Sequence, residues 1–180
     1  MLFNSLTLNQ MQISMEGPER LAHCWDNITG TLNLSVMKKT INVLVIEDNE
    51  YYNNLLSNAL QQSINSILLN GEYRLILHSF TNAADYIRKI KSQELECNDA
   101  IVFLDYYLGD GINAAHIIRL LKEQTCDTMV VLLSQSRTVR EKSNLSHYDY
   151  FVVKDSLAPA LCSLYLRQFI ENKFSVTLDG

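Results

Sequence analysis

Five short apolar runs constrain this chain more than anything else in it: Ile41 to Ile46, Tyr73 to Leu77, Ala100 to Leu104, Met129 to Leu133 and Tyr150 to Val153. Most are apolar at consecutive rather than alternate positions, so as strands they need cover on both faces, as in a parallel sheet flanked by helices. Helical spacing fills the intervals. Tyr52, Leu55, Leu56, Ala59, Leu60, Ile64 and Ile67 form one stripe, Ala83, Ala84, Ile87 and Ile90 a second, and Ala114, Ile118 and Leu121 a third. A weaker helical stretch covers Val139 to His147, and Leu157, Leu161, Leu164, Tyr165 and Phe169 predict the buried stripe of a last helix. Strand and helix therefore alternate over residues 41 to 172, which predicts an α/β fold: a doubly wound five-stranded parallel sheet with helices on both faces.

The remaining sequence sets boundaries and excludes function classes. At 180 residues one domain is expected. Residues 1–36, rich in Asn, Ser, Thr and Met, read as an irregular or partly helical extension, 37–172 as the folded domain and 173–180 as a tail. The Met37-Lys38-Lys39 sequence has the form of a natural start, so part of the extension can be an alternative start. A formal net charge of -5 without a Lys/Arg cluster argues against direct nucleic-acid binding. Residues 1–15 lack a basic start, no 18-residue apolar run offers a membrane span, and Cys24, Cys97, Cys126 and Cys162 are too scattered for a zinc or disulfide framework. A cytoplasmic protein without membrane contact is the expectation.

Ligands of doubly wound sheets bind at the carboxyl ends of the strands. The residues there are Glu47 and Asp48 after the first run, Asp105 after the third, Ser134 after the fourth and Lys154 after the fifth. If the first and third strands are central neighbours, three carboxylates share one crevice, where they repel one another unless a cation joins them. Oxygen donors without His or Cys select magnesium rather than zinc. Lys154 and Ser134 supply a cation and a hydroxyl for phosphoryl oxygens, and Asp105 is placed as a nucleophile. Each residue also has a plainer reading: Asp48 before Asn49 and Glu50 serves as well for a helix cap, Lys154 as a solvated amine, and Ser134 as a turn residue. His23, His78, His116 and His147 are mutually distant and read as ordinary surface or core histidines.

This ordered set resembles the receiver domain of two-component response regulators, over residues 39 to 172. The resemblance implies a flavodoxin-like sheet of strand order 2-1-3-4-5. It implies that Asp105 accepts a phosphoryl group from a sensor histidine kinase or a histidine phosphotransfer protein. Asp48 and Asp105 would ligate Mg2+ directly, Glu47 would hold a metal-bound water, and the Tyr107 carbonyl would complete the set. Ser134 and Phe151 would move together as a switch, altering the surface near the fourth helix, the fifth strand and the fifth, last, helix. Such a protein is a phosphoacceptor switch, with self-phosphorylation and autodephosphorylation chemistry only.

The sequence departs from the family where many members have Pro after the lysine: Asp155 stands here, which makes a cis bond improbable and offers Asp155 or Ser156 as a cap for the last helix. Phe151 also lacks the hydroxyl of the tyrosine frequent at its position. Only residues 172–180 follow the last helix, so the expected output is binding to a downstream protein, dimerisation or phosphorelay. A phosphorylation-independent interaction module is the alternative expectation. A haloacid-dehalogenase-type phosphatase needs a second Asp two residues after the nucleophile, where Tyr107 stands.

Overall fold

Each of the five apolar runs is a strand. The computed structural model describes residues 39–67, 73–95, 99–109, 111–123, 127–139 and 147–175. Its elements are β1 (Lys39–Ile46), α1 (Glu50–Ser66), β2 (Tyr73–Phe80), α2 (Ala83–Lys91), β3 (Ala100–Asp105), α3 (Ala114–Glu123), β4 (Thr128–Ser134), β5 (Tyr150–Val153) and α4 (Ala158–Ser175). The extension expected over residues 1–36, and the helix expected between Val139 and His147, lie outside the described residues. α4 runs on to Ser175, past the domain end expected at residue 172.

All strand pairs are parallel, in the order β2-β1-β3-β4-β5. Alternate residues of each strand point to opposite faces, and the two faces divide the core. Leu44, Ile46, Val102, Leu104, Val130 and Leu132 pack with Phe80 beneath α2 and α3. Val43, Val45, Ile101, Phe103, Val131, Leu133 and Val152 pack beneath α1 and α4. Burial on both sides is why these strands are apolar at consecutive positions, and each such side chain contributes about 1.5–3 kcal/mol.

The helices are capped locally. Asn49 caps α1, its side chain accepting from the Tyr52 N–H at 2.9 Å, and Asn82 caps α2 by accepting from Ala84 at 2.7 Å. The Asp155 side chain accepts from the Leu157 N–H at 2.9 Å at the entry to α4, as expected, with Pro159 in the first turn, and the described residues contain no cis peptide bond.

Two helix faces differ from expectation. In α1 the buried positions are Asn53, Leu56, Leu60 and Ser63, while Leu55 is exposed. In α4 the buried positions are Ala158, Cys162, Leu166, Phe169 and Ile170, whereas Leu157, Leu161 and Leu164 of the expected stripe are exposed. α4 is apolar on most of its circumference, and packing against the sheet and α1, not periodicity, selects the buried face.

Candidate functional site

Strand register assembles the site. Ile46 pairs with Leu104, so the next residues, Glu47 and Asp105, stand side by side at the carboxyl rim. Asp105 in turn pairs with Leu133 and Ser134 with Val153, which brings Lys154 to the same rim. A backbone bond from Lys154 N to Ser134 O at 2.9 Å carries the ladder past the last pair.

The side chains then meet. The Lys154 ammonium lies 2.5 Å from Glu47 Oε2 and 2.8 Å from Asp105 Oδ1, and the three side chains retain 6%, 0% and 7% of their exposure. Glu47, Asp48 and Asp105 each direct a carboxylate oxygen to within 4.8 Å of the others. Asp48, the exposed member of the three, does not cap α1, because Asn49 does. Its carboxylate is thus released from the plainer role that its position allowed.

Burial is the main influence on the pKa of both inner acids and raises it. For Glu47, the Lys154 hydrogen bond opposes burial while the Asp105 charge adds to it. For Asp105, Lys154 again opposes, the Asp48 charge raises, and the Tyr107 backbone N–H, donating to the carboxylate, lowers. A cluster of carboxylates held partly against its own charge, with one ammonium among them, is suited to take up further positive charge.

The other expected residues lie around this knot. Ser134 is fully buried at the end of β4, and its hydroxyl oxygen accepts from the Ser136 N–H at 3.2 Å, which ties it to its own loop. Phe151 is half-buried against the α2 and α3 side of the core, its ring 6.4 Å from that of Tyr148. The Tyr107 side chain is 63% exposed and meets the Tyr106 ring edge-on.

Three contributors were not singled out from sequence. Asn53, buried in the first turns of α1, donates to the carbonyls of Glu47 and Phe80, each at 3.0 Å, and so fixes the loop that carries the acids. The Tyr52 ring lies beside Lys154, with the ammonium 5.0 Å from its centroid, and burial pushes its phenol well above the usual range, with Cys162 and Glu47 adding to the shift. Gly109 has φ +64°, and a Cβ there would stand 3.1 Å from Asp48 Oδ2. Its loop is closed by a Tyr107 to Asn113 bridge and by an Ile112 N to Gly109 O bond of 2.9 Å. A glycine in a turn was visible in the sequence; its approach to Asp48 was not, because the two are brought together only by the fold.

No protein-family model and no curated protein matches the sequence. Solved structures do match. The response regulator protein TrrA from Thermotoga maritima, in complex with Mg2+-BeF, aligns at TM-score 0.51 and 21% identity over 73% of this chain and 98% of its own. The N-terminal domain of a response regulator/sensory box/GGDEF three-domain protein from Carboxydothermus hydrogenoformans aligns at 0.50 and 13%, over 77% of this chain and 99% of its own. A yeast Spc42 coiled-coil segment fused to another structure aligns at 0.53 and 16%, over 77% and 83%. With its all-parallel sheet in the order β2-β1-β3-β4-β5, the chain has the flavodoxin-like fold of response-regulator receiver domains.

Proposed function

We propose that the chain is a phosphoacceptor switch in which Asp105 takes a phosphoryl group from a histidine kinase or a histidine phosphotransfer protein. The observation that carries this reading is the Lys154 ammonium bound between Glu47 and Asp105, with Asp48 alongside. Asp48, exposed at the same rim, adds a third carboxylate that the ion pair itself does not engage. As an Asp105 oxygen bonds to phosphorus, the bond from phosphorus to the donor's histidine nitrogen breaks, and the freed imidazole takes a proton from water. Lys154 then exchanges its contact with Asp105 for a phosphoryl oxygen while keeping Glu47, and the Ser134 hydroxyl turns from its loop to a second phosphoryl oxygen.

The donor set fits a hard divalent cation: three carboxylates, with neither His nor Cys in the cluster. Asp48, Asp105 and the Tyr107 carbonyl would hold Mg2+, with Glu47 reaching it through water. Bound there, the ion offsets the negative charge that a carboxylate and a phosphoryl group bring together. TrrA, similar in fold, was solved with magnesium and beryllofluoride, which supports the same choice.

In this reading the protein works in the cytoplasm, and no described helix is long and apolar enough to cross a membrane. Its output passes by binding a downstream protein, by self-association or by phosphorelay, through the surface near β5 and α4 that Ser134 and Phe151 adjust. Incubation with acetyl phosphate and Mg2+ should add the mass of one phosphoryl group to the wild type and none to Asp105→Asn. No gain in the wild type, or equal gain in the variant, overturns the reading and favours a phosphorylation-independent interaction module.

A further inference from the structure

Lys154 has three N–H donors and no acceptor. Glu47 Oε2 and Asp105 Oδ1 take two directions, and with 6% of the side chain exposed little room remains for water on the third side. The Tyr52 ring lies within cation–π range, its centroid 5.0 Å from the ammonium. Tyr52 is set rigidly against the acid loop, because its backbone N–H donates to the Asn49 cap at 2.9 Å and Asn49 N donates to Glu47 Oε1 at 3.2 Å. Its hydroxyl is buried and has no hydrogen-bond partner among the described residues. A buried phenol oxygen without a partner is disfavoured, so hydrogen bonding does not explain why this ring sits where it does. Packing against the core beneath α1 and α4, and the ring face turned to the ammonium, do.

We infer that Tyr52 is a positioning residue, whose ring forms the third wall around the Lys154 ammonium and holds it where it can pass from Asp105 to an incoming phosphoryl oxygen. The inference rests on the reading of Lys154 as the amine that holds the phosphoryl group. It concerns how the ammonium is kept in place, a matter on which Glu47 and Asp105 alone are indifferent, since either can attract it to its own side.

Three proteins and two readouts test it. Tyr52→Phe keeps the ring, and Tyr52→Met fills much of the space without a ring face. With acetyl phosphate and Mg2+, Tyr52→Phe should phosphorylate at the wild-type rate and Tyr52→Met more slowly by roughly threefold to thirtyfold, the span from an exposed to a desolvated cation–π contact. Thermal unfolding followed in parallel shows whether the methionine variant is folded at the assay temperature. In NMR spectra, the Lys154 side-chain methylene protons next to the ammonium should be shifted upfield by the ring current in the wild type and Tyr52→Phe, and not in Tyr52→Met. A folded Tyr52→Met that phosphorylates at the wild-type rate overturns the inference, as does a Tyr52→Phe as slow as Tyr52→Met. So do wild-type Lys154 resonances matching those of exposed lysines. If the wild type takes no phosphoryl group, the proposed function fails, and the ring-current shift still decides the inference about Tyr52. The same shift, in wild type and Tyr52→Phe, decides it if Tyr52→Met does not fold.

Discussion

The two rims of the sheet each hold a lysine between two acids, and they are built for different ends. At the amino rim, Lys173 near the end of α4 meets Asp99, which precedes β3, at 2.7 Å, and Asp127, which precedes β4. At the carboxyl rim, Lys154 meets Glu47 and Asp105. The charge types are the same, but Lys173, Asp99 and Asp127 keep 21%, 29% and 76% of their side-chain exposure, against 6%, 0% and 7% for Lys154, Glu47 and Asp105. Asp127 is exposed and Asp99 half-buried, and the bridge acts as a clasp between α4 and the sheet. The buried acids are raised in pKa chiefly by loss of water, and a third carboxylate stands beside them. Burial, rather than the count of charges, separates the two rims: it raises the pKa of the inner acids at the carboxyl rim against the pull of their own lysine.

The largest test removes the lysine from the buried rim. Lys154→Met leaves two buried carboxylates without their ammonium, and breaking a buried pair from one side costs about 3–5 kcal/mol. The loss depends on pH. Because the folded carboxyls of Glu47 and Asp105 lie above their ordinary values of 4.5 and 3.8, the folded state keeps protons that the unfolded chain releases. The stability from this source is fully present below those unfolded values and is lost as pH rises through the folded ones. Without Lys154 the folded values rise further, so urea unfolding in metal-free buffer should show the variant deficit large near about pH 8 and small near about pH 4. A deficit that does not change with pH would mean that the two rims differ less than their exposure suggests.

A smaller effect sharpens the comparison at Asp48, the exposed acid of the buried rim. Gly109→Ala places a side chain in left-handed backbone, at a cost of roughly 1–2 kcal/mol, and puts its Cβ 3.1 Å from Asp48 Oδ2. The carboxylate must move, so Mg2+ titrated against the intrinsic fluorescence or amide spectra should bind more weakly than to the wild type. Gly111→Ala is the control, since Gly111 has φ +74° but nothing within 4 Å of its missing Cβ. It should show a similar loss of stability with unchanged Mg2+ binding. Equal weakening in both would assign the effect to backbone strain.

The strands and the rim were legible in the sequence because both depend on short-range pattern plus one topological rule. Consecutive apolar residues such as Val43, Leu44, Val45 and Ile46 require cover on two faces, and parallel strands so covered present their ends together. That was enough to place Glu47, Asp48, Asp105 and Lys154 at one rim. It was not enough for α4, where Leu157, Leu161 and Leu164 have the spacing of a buried stripe and are exposed, while Ala158, Cys162 and Leu166 are buried. A helix apolar on several sides offers several stripes, and only its neighbours choose among them. Nor could spacing show that Asn49 caps α1 and leaves Asp48 free, that Asn53 fixes the acid loop, or that Gly109 approaches Asp48. Asn53 and Gly109 act between chain segments far apart in sequence, which meet only once the chain is folded, and the Asn49 cap, though local, has a neighbour in Asp48 that offers the same cap.

The smallest expected effect belongs to the amino rim. Lys173→Met removes the clasp, yet Asp127 is exposed and Asp99 only half-buried, so neither is stranded by its loss. For Lys173, burial acts against the charge, but the hydrogen bonds that its ammonium donates to Asp127 and Asp99 outweigh it and hold the amine above its ordinary value. The stability this gives is present at neutral pH and is lost only as pH rises through the folded value, well into the alkaline range. Exposed pairs of this kind contribute below about 1 kcal/mol and are screened by salt. Urea midpoints at neutral pH should therefore shift slightly at low ionic strength and less at high, with no change in the phosphoryl uptake proposed for Asp105. A loss comparable with that of Lys154→Met would show that the amino rim is no mere clasp, and that burial does not separate the two lysines as their geometry indicates.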